Sequence, residues 1–530
     1  MARRESWLNR AEEKAPVAPP KFITVIGAGH VGVPHAVTIA KKCPEVKVTV
    51  VDEDPRKIAG WNSSLLPFYE PGLQETLEEV KGANLFFTTD MERSIDSAQM
   101  IFVSVSTPLK DSGVGKGFAP DLQHWERMAR LIAKLSKSPK VIVERSTVPV
   151  KTATAMAQVL TAVNKECAPW VVLSNPEFSR EGIAMFDQAS PERVMIGGDE
   201  NLTATMAIES LAALYNAWVP RSRIIASGLW SAELSKLTAN AFLAQRVSSI
   251  NSISALCEAT GADVNEVSFA IGVDSRIGRK GIQASVGFGG ACYETHLRNL
   301  VYLSNSYRLP QVAKYWEQVI KMNDYQKSRF AKKVVSAMFN TVSGKKLSIL
   351  GYAYKKNTSD IRFSAATDVC KTLLRERAAL CVYDPRVASE AIQVSLTGDD
   401  GTEAAIEVQS DPYLACQGAH AVIVLTEWDE FARLDYKRIF DGMQKPAFVF
   451  DGRNLLQHDA LREIGFHVYA IGKAHMQTAP SGEAAELQQM EDTAAKARVR
   501  VGAVAIPSGA PTTSDSKTRL HAAQSFGSMA

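Results

Sequence analysis

The sequence predicts an α/β protein in which two open parallel sheets flank one long helix, and three observations support this. Between residues 21 and 174, short apolar runs alternate with helical patterns, and the same alternation returns between residues 346 and 451. Between the two, Leu229 to about Thr260 is one helical pattern that lacks proline and stops at Gly261. Alternating strands and helices form parallel sheets through right-handed crossovers. The predicted fold is therefore two Rossmann-like doubly wound domains joined by a long central helix.

The first unit opens with a glycine-rich loop. A short strand leads into Gly27-Ala28-Gly29-His30-Val31-Gly32, a helical pattern follows, and a second strand ends in Asp52. In this arrangement Gly27 allows a tight turn, Gly29 lets the backbone approach a pyrophosphate, and Gly32 lets the helix pack closely. Asp52 can accept hydrogen bonds from both ribose hydroxyls and would repel a 2′-phosphate. The sequence therefore predicts an NAD site rather than an NADP site.

Further strand-like runs complete both units. They are Lys21–Ile26, Val46–Val51, Asn84–Phe87, Met100–Val105, Lys140–Glu144 and Val171–Ser174, then Lys346–Leu350, Cys381–Asp384, Ala421–Leu425 and Ala447–Asp451. Ligands of such sheets bind beyond the carboxyl ends of the strands. Polar residues at those ends in the first unit are Ser104, Ser106, Thr107, Ser146, Thr147, Glu177 and Glu181. From position alone, each is either a ligand group or a helix cap.

A second glycine-rich loop precedes one of the seven cysteines, Cys292. A thiol on a loop that lets a ligand come close is a candidate nucleophile, and a buried structural cysteine is the alternative. Lys236 and Asn240 lie four residues apart in the long helical pattern and therefore share one face. They either face a pocket, or they are a solvated lysine and an incidental asparagine.

Basic residues near the cysteine loop suit a diphosphate ligand. Arg276, Arg279 and Lys280 lie just before that loop, where a solvated charge cluster is the alternative. The second α/β unit has no glycine fingerprint. We expect it to bind a nucleotide by other means, through Lys355 and Arg453.

Composition narrows the function classes. The chain has 530 residues, 46% of them hydrophobic, and a net charge of +3, which is too small to indicate a nucleic-acid or membrane partner. The seven cysteines form no CxxC pair, so neither a disulfide framework nor a metal site is predicted. Reduced thiols favour a cytoplasmic location. Residues 1–20 lack the apolar core of a signal peptide, and no run approaches the roughly 20 apolar residues of a membrane helix.

Taken together, the motifs resemble the UDP-glucose 6-dehydrogenase family from about Lys21 to Pro480. The matching motifs are Tyr69–Leu73, Gly115–Gly117, Ser146–Pro149, Ser174–Phe178, Glu233–Leu237, Asn240–Leu243, Gly287–Cys292, Asn323–Gln326 and Phe450–Arg453. The resemblance implies that two hydrides pass to NAD⁺ while the 6-hydroxymethyl group of UDP-glucose becomes a carboxylate. It also implies a thiohemiacetal and then a thioester on Cys292.

The resemblance further implies roles for individual residues. The implied catalytic residues are Cys292, Lys236, Asn240, Glu177 and Thr147. The implied cofactor-binding residues are Gly27, Gly29, Val31, Gly32, Asp52, Lys57, Ser106, Thr107, Thr147, Glu181 and Arg362. The implied substrate-binding residues are Glu177, Phe178, Glu181, Lys236, Asn240, Ser285, Gly289, Lys355, Arg453 and, from a neighbouring subunit, Arg276.

A few positions near the cysteine depart from the family pattern. Thr295 and His296 stand where the family usually has a lysine and an aspartate. An unperturbed imidazole titrates at about pH 6.5, so we expect His296 to act as a catalytic base and the rate to rise through that range. Other departures are His30, Ser106, Gly281, Gln283 and Phe363. Two alternatives follow: a dehydrogenase of another nucleotide sugar, or a catalytically impaired paralogue with a regulatory role that binds NAD and nucleotide sugar.

The patterns and the resemblance divide the chain into five segments. They are a flexible extension (1–20), an NAD-binding Rossmann domain (21–228), a central helical dimerisation region with the cysteine loop (229–340), a UDP-sugar-binding Rossmann-like domain (341–480) and a disordered tail (481–530). The long helix carries apolar residues on more than one face, so it needs more than one packing partner. We expect the second partner to be another copy of the chain, in a homodimer or homohexamer.

Overall fold

Two sheets of parallel strands organise the protein, and they confirm the predicted doubly wound α/β class. The computed structural model describes residues 17–397 and 406–474. The predicted tail (481–530) and all of the predicted extension except residues 17–20 lie outside the described residues.

The first sheet has eight strands. They are β1 (Phe22–Ile26), β2 (Lys47–Val51), β3 (Leu85–Thr88), β4 (Met100–Val103), β5 (Val141–Glu144), β6 (Val171–Ser174), β7 (Val194–Gly198) and β8 (Ile224–Gly228). Their order is β3-β2-β1-β4-β5-β6-β7-β8, and β6 with β7 is the one antiparallel neighbouring pair in this sheet. The order reverses between β1 and β4, which opens a crevice for a ligand at the carboxyl ends of these strands.

Helices cover both faces of this sheet. They are α1 (Gly32–Lys42), α2 (Pro55–Asn62), α3 (Leu73–Val80), α4 (Met91–Ser97), α5 (Gln123–Leu135), α6 (Thr152–Val163), α7 (Ala184–Ala189) and α8 (Leu202–Asn216). One core surrounds Trp61 and Leu211, and the other surrounds Trp125 and Leu160. Burial of each such apolar side chain contributes about 1.5–3 kcal/mol to the free energy of folding. The strand sequences are continuous apolar runs because helices cover both faces of the sheet.

A group of long helices follows. They are α9 (Leu229–Thr260), α10 (Val264–Gly272), α11 (Ala291–Ser306) and α12 (Pro310–Ala337). As the sequence predicts, α9 ends at Gly261, whose φ of 87° is the left-handed conformation that favours glycine. Helices α9, α11 and α12 pack around Phe288, Leu297 and Trp316. Among the described helices, none combines the length and apolar character needed to cross a membrane.

The second sheet is built from six parallel strands. They are β9 (Lys346–Leu350), β10 (Ala379–Tyr383), β11 (Ile406–Val408), β12 (Ala421–Val424), β13 (Phe448–Asp451) and β14 (His467–Ala470). Their order is β11-β10-β9-β12-β13-β14. The associated helices are α13 (Ala365–Arg375), α14 (Ser389–Leu396), α15 (Pro412–Cys416), α16 (Tyr436–Gly442) and α17 (His458–Ile464). Ile250 of α9 and Phe330 of α12 belong to the core of this sheet, so the long helices pack directly against it.

Candidate active site

One cavity of about 630 Å³ runs from the first glycine loop to the cysteine loop. The predicted site residues that line it are Gly27, Gly29, Val31, Asp52, Lys57, Ser106, Thr107, Thr147, Glu181, Cys292, His296 and Arg362. Further lining residues include His30, Ser104, His124, Arg127, Ala291 and Thr295. The fold therefore brings the residues expected to hold the cofactor and the expected nucleophile into one continuous space.

The glycines of the first loop differ in what surrounds them. A Cβ at Gly27 would lie 2.5 Å from the carbonyl oxygen of Ser104, and one at Gly32 would lie 2.2 Å from the carbonyl oxygen of Gly27. Both positions therefore require glycine for packing. A Cβ at Gly29 would meet nothing within 4 Å, which leaves open space above the loop for a diphosphate. At the end of β2, Asp52 Oδ2 accepts a hydrogen bond from the backbone N–H of Ala28 (2.9 Å).

Cys292 lies in the first turn of α11. None of the seven cysteines forms a disulfide; Cys292 is exposed, and the other six are buried. Its exposure is to the cavity, and the surrounding protein raises the pKa of the thiol by desolvation, while the Lys236 ammonium acts to lower it. The preceding Gly290 has a φ of 87°, and a Cβ there would lie 2.7 Å from the Tyr354 ring. The loop thus needs glycine because Tyr354 packs directly against it.

Lys236 and Asn240 project from α9 toward the cysteine loop and are both buried. Burial lowers the pKa of Lys236, and the nearby Cys292 and Glu177 partly offset that effect. Lys236 Nζ lies 5.3 Å from the centre of the Phe178 ring. Asn240 Nδ2 lies 2.7 Å from His296 Nδ1. The alternative of a solvated lysine is therefore wrong. Neither side chain is among the residues that line the cavity, so a role for this helical face in a pocket stays a prediction.

His296 is buried, and this contradicts the expected titration near neutral pH. Desolvation, followed by the charge of Lys236, lowers the pKa of His296 well below its usual value of 6.5. Because an amide N–H₂ group can only donate, Nδ1 accepts the bond from Asn240 and the proton of the neutral ring lies on Nε2. The expectation that His296 titrates near pH 6.5 is therefore wrong. In this state the ring offers the cavity a donor rather than a base.

Glu177 is held as a buried anion. It forms an ion pair with Arg145 and accepts hydrogen bonds from Gln188 Nε2 (2.6 Å) and the backbone N–H of Ser179 (2.6 Å). Burial alone favours the neutral acid, but the Arg145 charge and the Ser179 bonds outweigh it and lower the pKa of Glu177 to about 2. Such a carboxylate is a weak proton acceptor at neutral pH, and its geometry suits fixing the neighbouring Phe178.

Residues of the second unit reach across to the cavity wall. The Tyr354 hydroxyl donates to Glu181 Oε2 (3.1 Å), and Arg362 Nη2 lies 3.5 Å from Glu181 Oε1. Lys355 Nζ donates to the backbone carbonyl of Glu181. Arg453 Nη2 donates to the backbone carbonyl of Tyr354 (2.9 Å). Desolvation, reinforced by Asp360, raises the pKa of Glu181.

Of the ten expected substrate residues, only Glu181 lines this cavity. The nine outside its lining are Glu177, Phe178, Lys236, Asn240, Lys355, Arg453, Arg276, Ser285 and Gly289. Arg276 is exposed and paired with Asp274 (2.6 Å). Ser285 is buried, and its backbone N–H donates to Asn251 Oδ1 (2.9 Å). Gly289 faces the carbonyl oxygen of Phe363, which would lie 2.6 Å from a Cβ at that position.

Sequence reasoning missed Tyr354, Arg145 and Gln188. The first two follow the strand ends of β9 and β5, so their positions beyond carboxyl ends could have indicated them. Gln188 lies in the short helix α7, and no sequence signal marks it.

The sequence also matches known protein families. Three domains of the UDP-glucose/GDP-mannose dehydrogenase family match in order: the NAD binding domain at residues 21–219, the central domain at 230–325 and the UDP binding domain at 348–458. A UDP-glucose 6-dehydrogenase of Drosophila melanogaster is 51% identical over 462 residues, which span 86% of this chain and 97% of that protein. The chain belongs to this family. UDP-glucose 6-dehydrogenase 2 of Oryza sativa subsp. japonica is 53% identical over 85% of this chain and 97% of its own length.

Solved structures of family proteins share the fold. A UDP-glucose dehydrogenase from Pyrobaculum islandicum superposes with a TM-score of 0.75 at 28% identity, covering 87% of this chain and 99% of the other. A UDP-D-ManNAc dehydrogenase from Pyrococcus horikoshii gives a TM-score of 0.72 at 23% identity, covering 86% and 100%. The second likeness shows the fold alone.

Proposed function

We propose that the protein oxidises UDP-glucose to UDP-glucuronate with two equivalents of NAD⁺. The observation that most supports this is the single cavity that begins at the dinucleotide loop and ends at Cys292. Family relatives above 50% identity are named UDP-glucose 6-dehydrogenases, which supports UDP-glucose as the substrate. The open space above Gly29 and the Asp52 carboxylate fit a dinucleotide without a 2′-phosphate.

The residues of the chain supply covalent catalysis and charge stabilisation. NAD⁺, when bound, accepts a hydride in each of the two oxidations. The Cys292 thiol adds to the C6 aldehyde: a C–S bond forms, and the thiol proton passes to the aldehyde oxygen. The second oxidation removes a hydride from C6 and the proton of that hydroxyl, which leaves a thioester. Water then attacks the thioester carbon and the C–S bond breaks. One proton of the water returns to the sulfur, which regenerates the thiol, and the other is released to solvent as the product carboxylate forms.

Lys236 and Asn240 are the donors for the oxygen that gains negative charge in these steps. Both are buried next to the cysteine loop, where a hydrogen bond to a developing oxyanion is stronger than in water. One amide hydrogen of Asn240 is engaged by His296, and the other remains available. We propose that His296 orients Asn240 in this way and replaces the family aspartate as a hydrogen-bonding group.

The test is an NADH assay on the purified protein with UDP-glucose. We expect two NADH per UDP-glucose, and a faster rate in the Thr295→Lys/His296→Asp variant assayed in parallel. GDP-mannose and UDP-N-acetylglucosamine serve as competing substrates, and a higher rate with either would change the substrate assignment. No NADH from any of the three would contradict a dehydrogenase function.

A catalytically impaired subunit with a regulatory role is the second candidate. The observation that favours it is the Asn240–His296 bond, which occupies part of the expected oxyanion donor set. In that case the protein binds NAD⁺ and UDP-glucose without turnover, and it co-purifies with an active relative. Brisk turnover by the purified protein alone would exclude it.

The burial of His296 predicts a pH profile. A base whose pKa is lowered by folding stays neutral above that lowered value, so His296 should not change charge between pH 6 and pH 8. Turnover of the wild type and of His296→Gln should therefore follow parallel pH profiles over this range. A rate limb with a pKa of about 6.5 that the glutamine variant loses would contradict this account.

We also propose a cytoplasmic homodimer or homohexamer in which the partner supplies Arg276. The support is the set of exposed apolar side chains on α9, namely Trp230, Leu234, Phe242, Leu243 and Leu256, together with the exposure of Arg276. Light scattering at micromolar concentration should give at least twice the 57.7 kDa chain mass. A monomer mass would argue against the shared site.

A further inference from the structure

Glu177 and five other buried polar side chains form a ring in which hydrogen bonds or an ion pair join five of the six neighbouring pairs. None of the six lines the cofactor cavity, and each is at most 8% exposed. They come from six separate positions along the first unit: His35, Arg145, Asn175, Glu177, Gln188 and Tyr215. A ring of this kind can only form after α1, α7, α8 and two strand ends have packed together.

One side of the ring holds the Arg145 guanidinium. Arg145 pairs with Glu177 and donates from Nη1 to Asn175 Oδ1 (2.7 Å). The Tyr215 hydroxyl donates to the same Asn175 oxygen (2.6 Å). Arg145 Nη1 also donates to the backbone carbonyl of Asn175 (3.2 Å) and to the Tyr215 hydroxyl (3.2 Å). Together these partners fix the plane of the guanidinium.

The other side of the ring runs through Gln188 and His35. Gln188 Nε2 donates to Glu177 Oε2 (2.6 Å), so its Oε1 faces His35 Nδ1 at 3.3 Å. That oxygen can only accept, so Nδ1 carries the imidazole proton. The Tyr215 hydroxyl lies 3.4 Å from His35 Nε2. Its one proton is donated to Asn175 and Nε2 carries none, so this contact completes the ring without a hydrogen bond. Burial, and then the Arg145 charge, lower the pKa of His35 to about 3. The His35 imidazole is therefore neutral at neutral pH.

The six-residue ring fixes Glu177, and the next residue, Phe178, contacts Lys236. Phe178 follows Glu177 directly, and its ring lies beneath Lys236 Nζ (5.3 Å) and the Arg193 guanidinium (4.0 Å). Lys236 in turn lies close enough to Cys292 for each to influence the pKa of the other. A shift of Glu177 would therefore move Phe178 and the ammonium that faces the thiol.

We propose that Gln188 and His35 are positioning residues, which hold Glu177 and, through Phe178, keep Lys236 beside Cys292. The expected effect on turnover rests on the proposed function, whereas the expected effect on the reactivity of the Cys292 thiol does not. The competing explanation is that the ring serves folding stability alone. The two differ in what happens when both partners of one ring bond are replaced by apolar side chains, because such a double replacement can be nearly neutral for stability.

The test compares Gln188→Met, His35→Leu and the double variant. Gln188→Met removes a donor to Glu177 and leaves the His35 N–H buried without an acceptor, so thermal stability and kcat should both fall, kcat by about tenfold. In the double variant the unpaired N–H is gone, and thermal stability should recover. If the residues position Glu177, kcat stays low in the double variant and the Kd for NAD⁺ stays unchanged.

Alkylation of Cys292 by iodoacetamide gives a readout that needs no turnover. The Lys236 ammonium lowers the thiol pKa, so its displacement should slow alkylation several-fold at pH 8 in Gln188→Met and in the double variant. Thr24→Val is the matched control, because it removes a buried hydrogen bond from the Thr24 hydroxyl to Ser94 O (2.7 Å) elsewhere in the same unit. It should lower thermal stability without changing the alkylation rate.

The outcomes separate the two proposals. If the wild type does not turn over UDP-glucose but alkylation slows as expected, the proposed function fails and the positioning role stands. If the wild type is active and Gln188→Met leaves kcat and alkylation unchanged, the positioning role fails alone. Recovery of both rates together with thermal stability in the double variant would assign the ring to folding only.

Discussion

Replacing Cys292 by alanine should block the second oxidation, so that steady-state conversion of UDP-glucose to UDP-glucuronate falls by at least about 10⁴-fold. The Cys292 side chain lines the same cavity as the dinucleotide loop, at its opposite end. Without the thiol no thiohemiacetal forms, so the second oxidation has no covalent substrate. Intact-protein mass spectrometry after mixing with UDP-glucose and NAD⁺ should show an adduct on the wild type and none on the variant.

The other cysteines provide the control for this experiment. Cys257 is buried at the end of α9, away from the cavity lining, and Cys257→Ala should keep its turnover within about twofold, as expected away from a catalytic group. Iodoacetamide should label a single thiol of the native wild type, because the other six are buried, and NAD⁺ should slow that labelling. Turnover above about 1% in Cys292→Ala, or an adduct that persists, would remove Cys292 from the mechanism.

The dinucleotide half of the site could be predicted because its signal is local. The turn at Gly27, the close packing at Gly32 and the carboxylate at Asp52 lie within one strand-helix-strand unit, and each follows from backbone geometry over a few residues. The same is true of Lys236 and Asn240, whose shared face depends only on helical periodicity. The end of α9 at Gly261 follows from the left-handed cap.

The electrostatic state of the site could not be predicted because it depends on distant contacts. His296 lies 56 residues from Asn240 in sequence, and its bond to that amide appears only when α9 and α11 pack. The sequence gives the ordinary pKa of an imidazole, whereas the fold removes its water. Glu177 is a similar case, since its pKa of about 2 depends on Arg145, which lies 32 residues earlier. Sequence reasoning also missed β7 and the edge strands β8, β11 and β14.

Lys236→Met should lower turnover by about 10²–10³-fold, as expected when one donor to a developing oxyanion is lost. Methionine keeps a long apolar side chain against Phe178 but has no ammonium. The Lys236 charge acts to lower the pKa of Cys292, so the same change should also slow alkylation of Cys292 at pH 8. Most of the loss should appear in kcat rather than in KM for UDP-glucose, because the charge on the substrate oxygen develops only in the transition state.

Lys314→Met provides the matched control, because Lys314 lies on the exposed face of α12 and its loss should leave both rates unchanged. Parallel measurements of steady-state turnover, KM and iodoacetamide labelling distinguish the possible roles of Lys236. A rise in KM with normal kcat would make Lys236 a substrate-binding residue that acts equally in the ground state. A fall in turnover with normal labelling would separate oxyanion stabilisation from thiol activation. If Lys236→Met behaves like Lys314→Met, the ammonium beside Cys292 takes no part in the reaction.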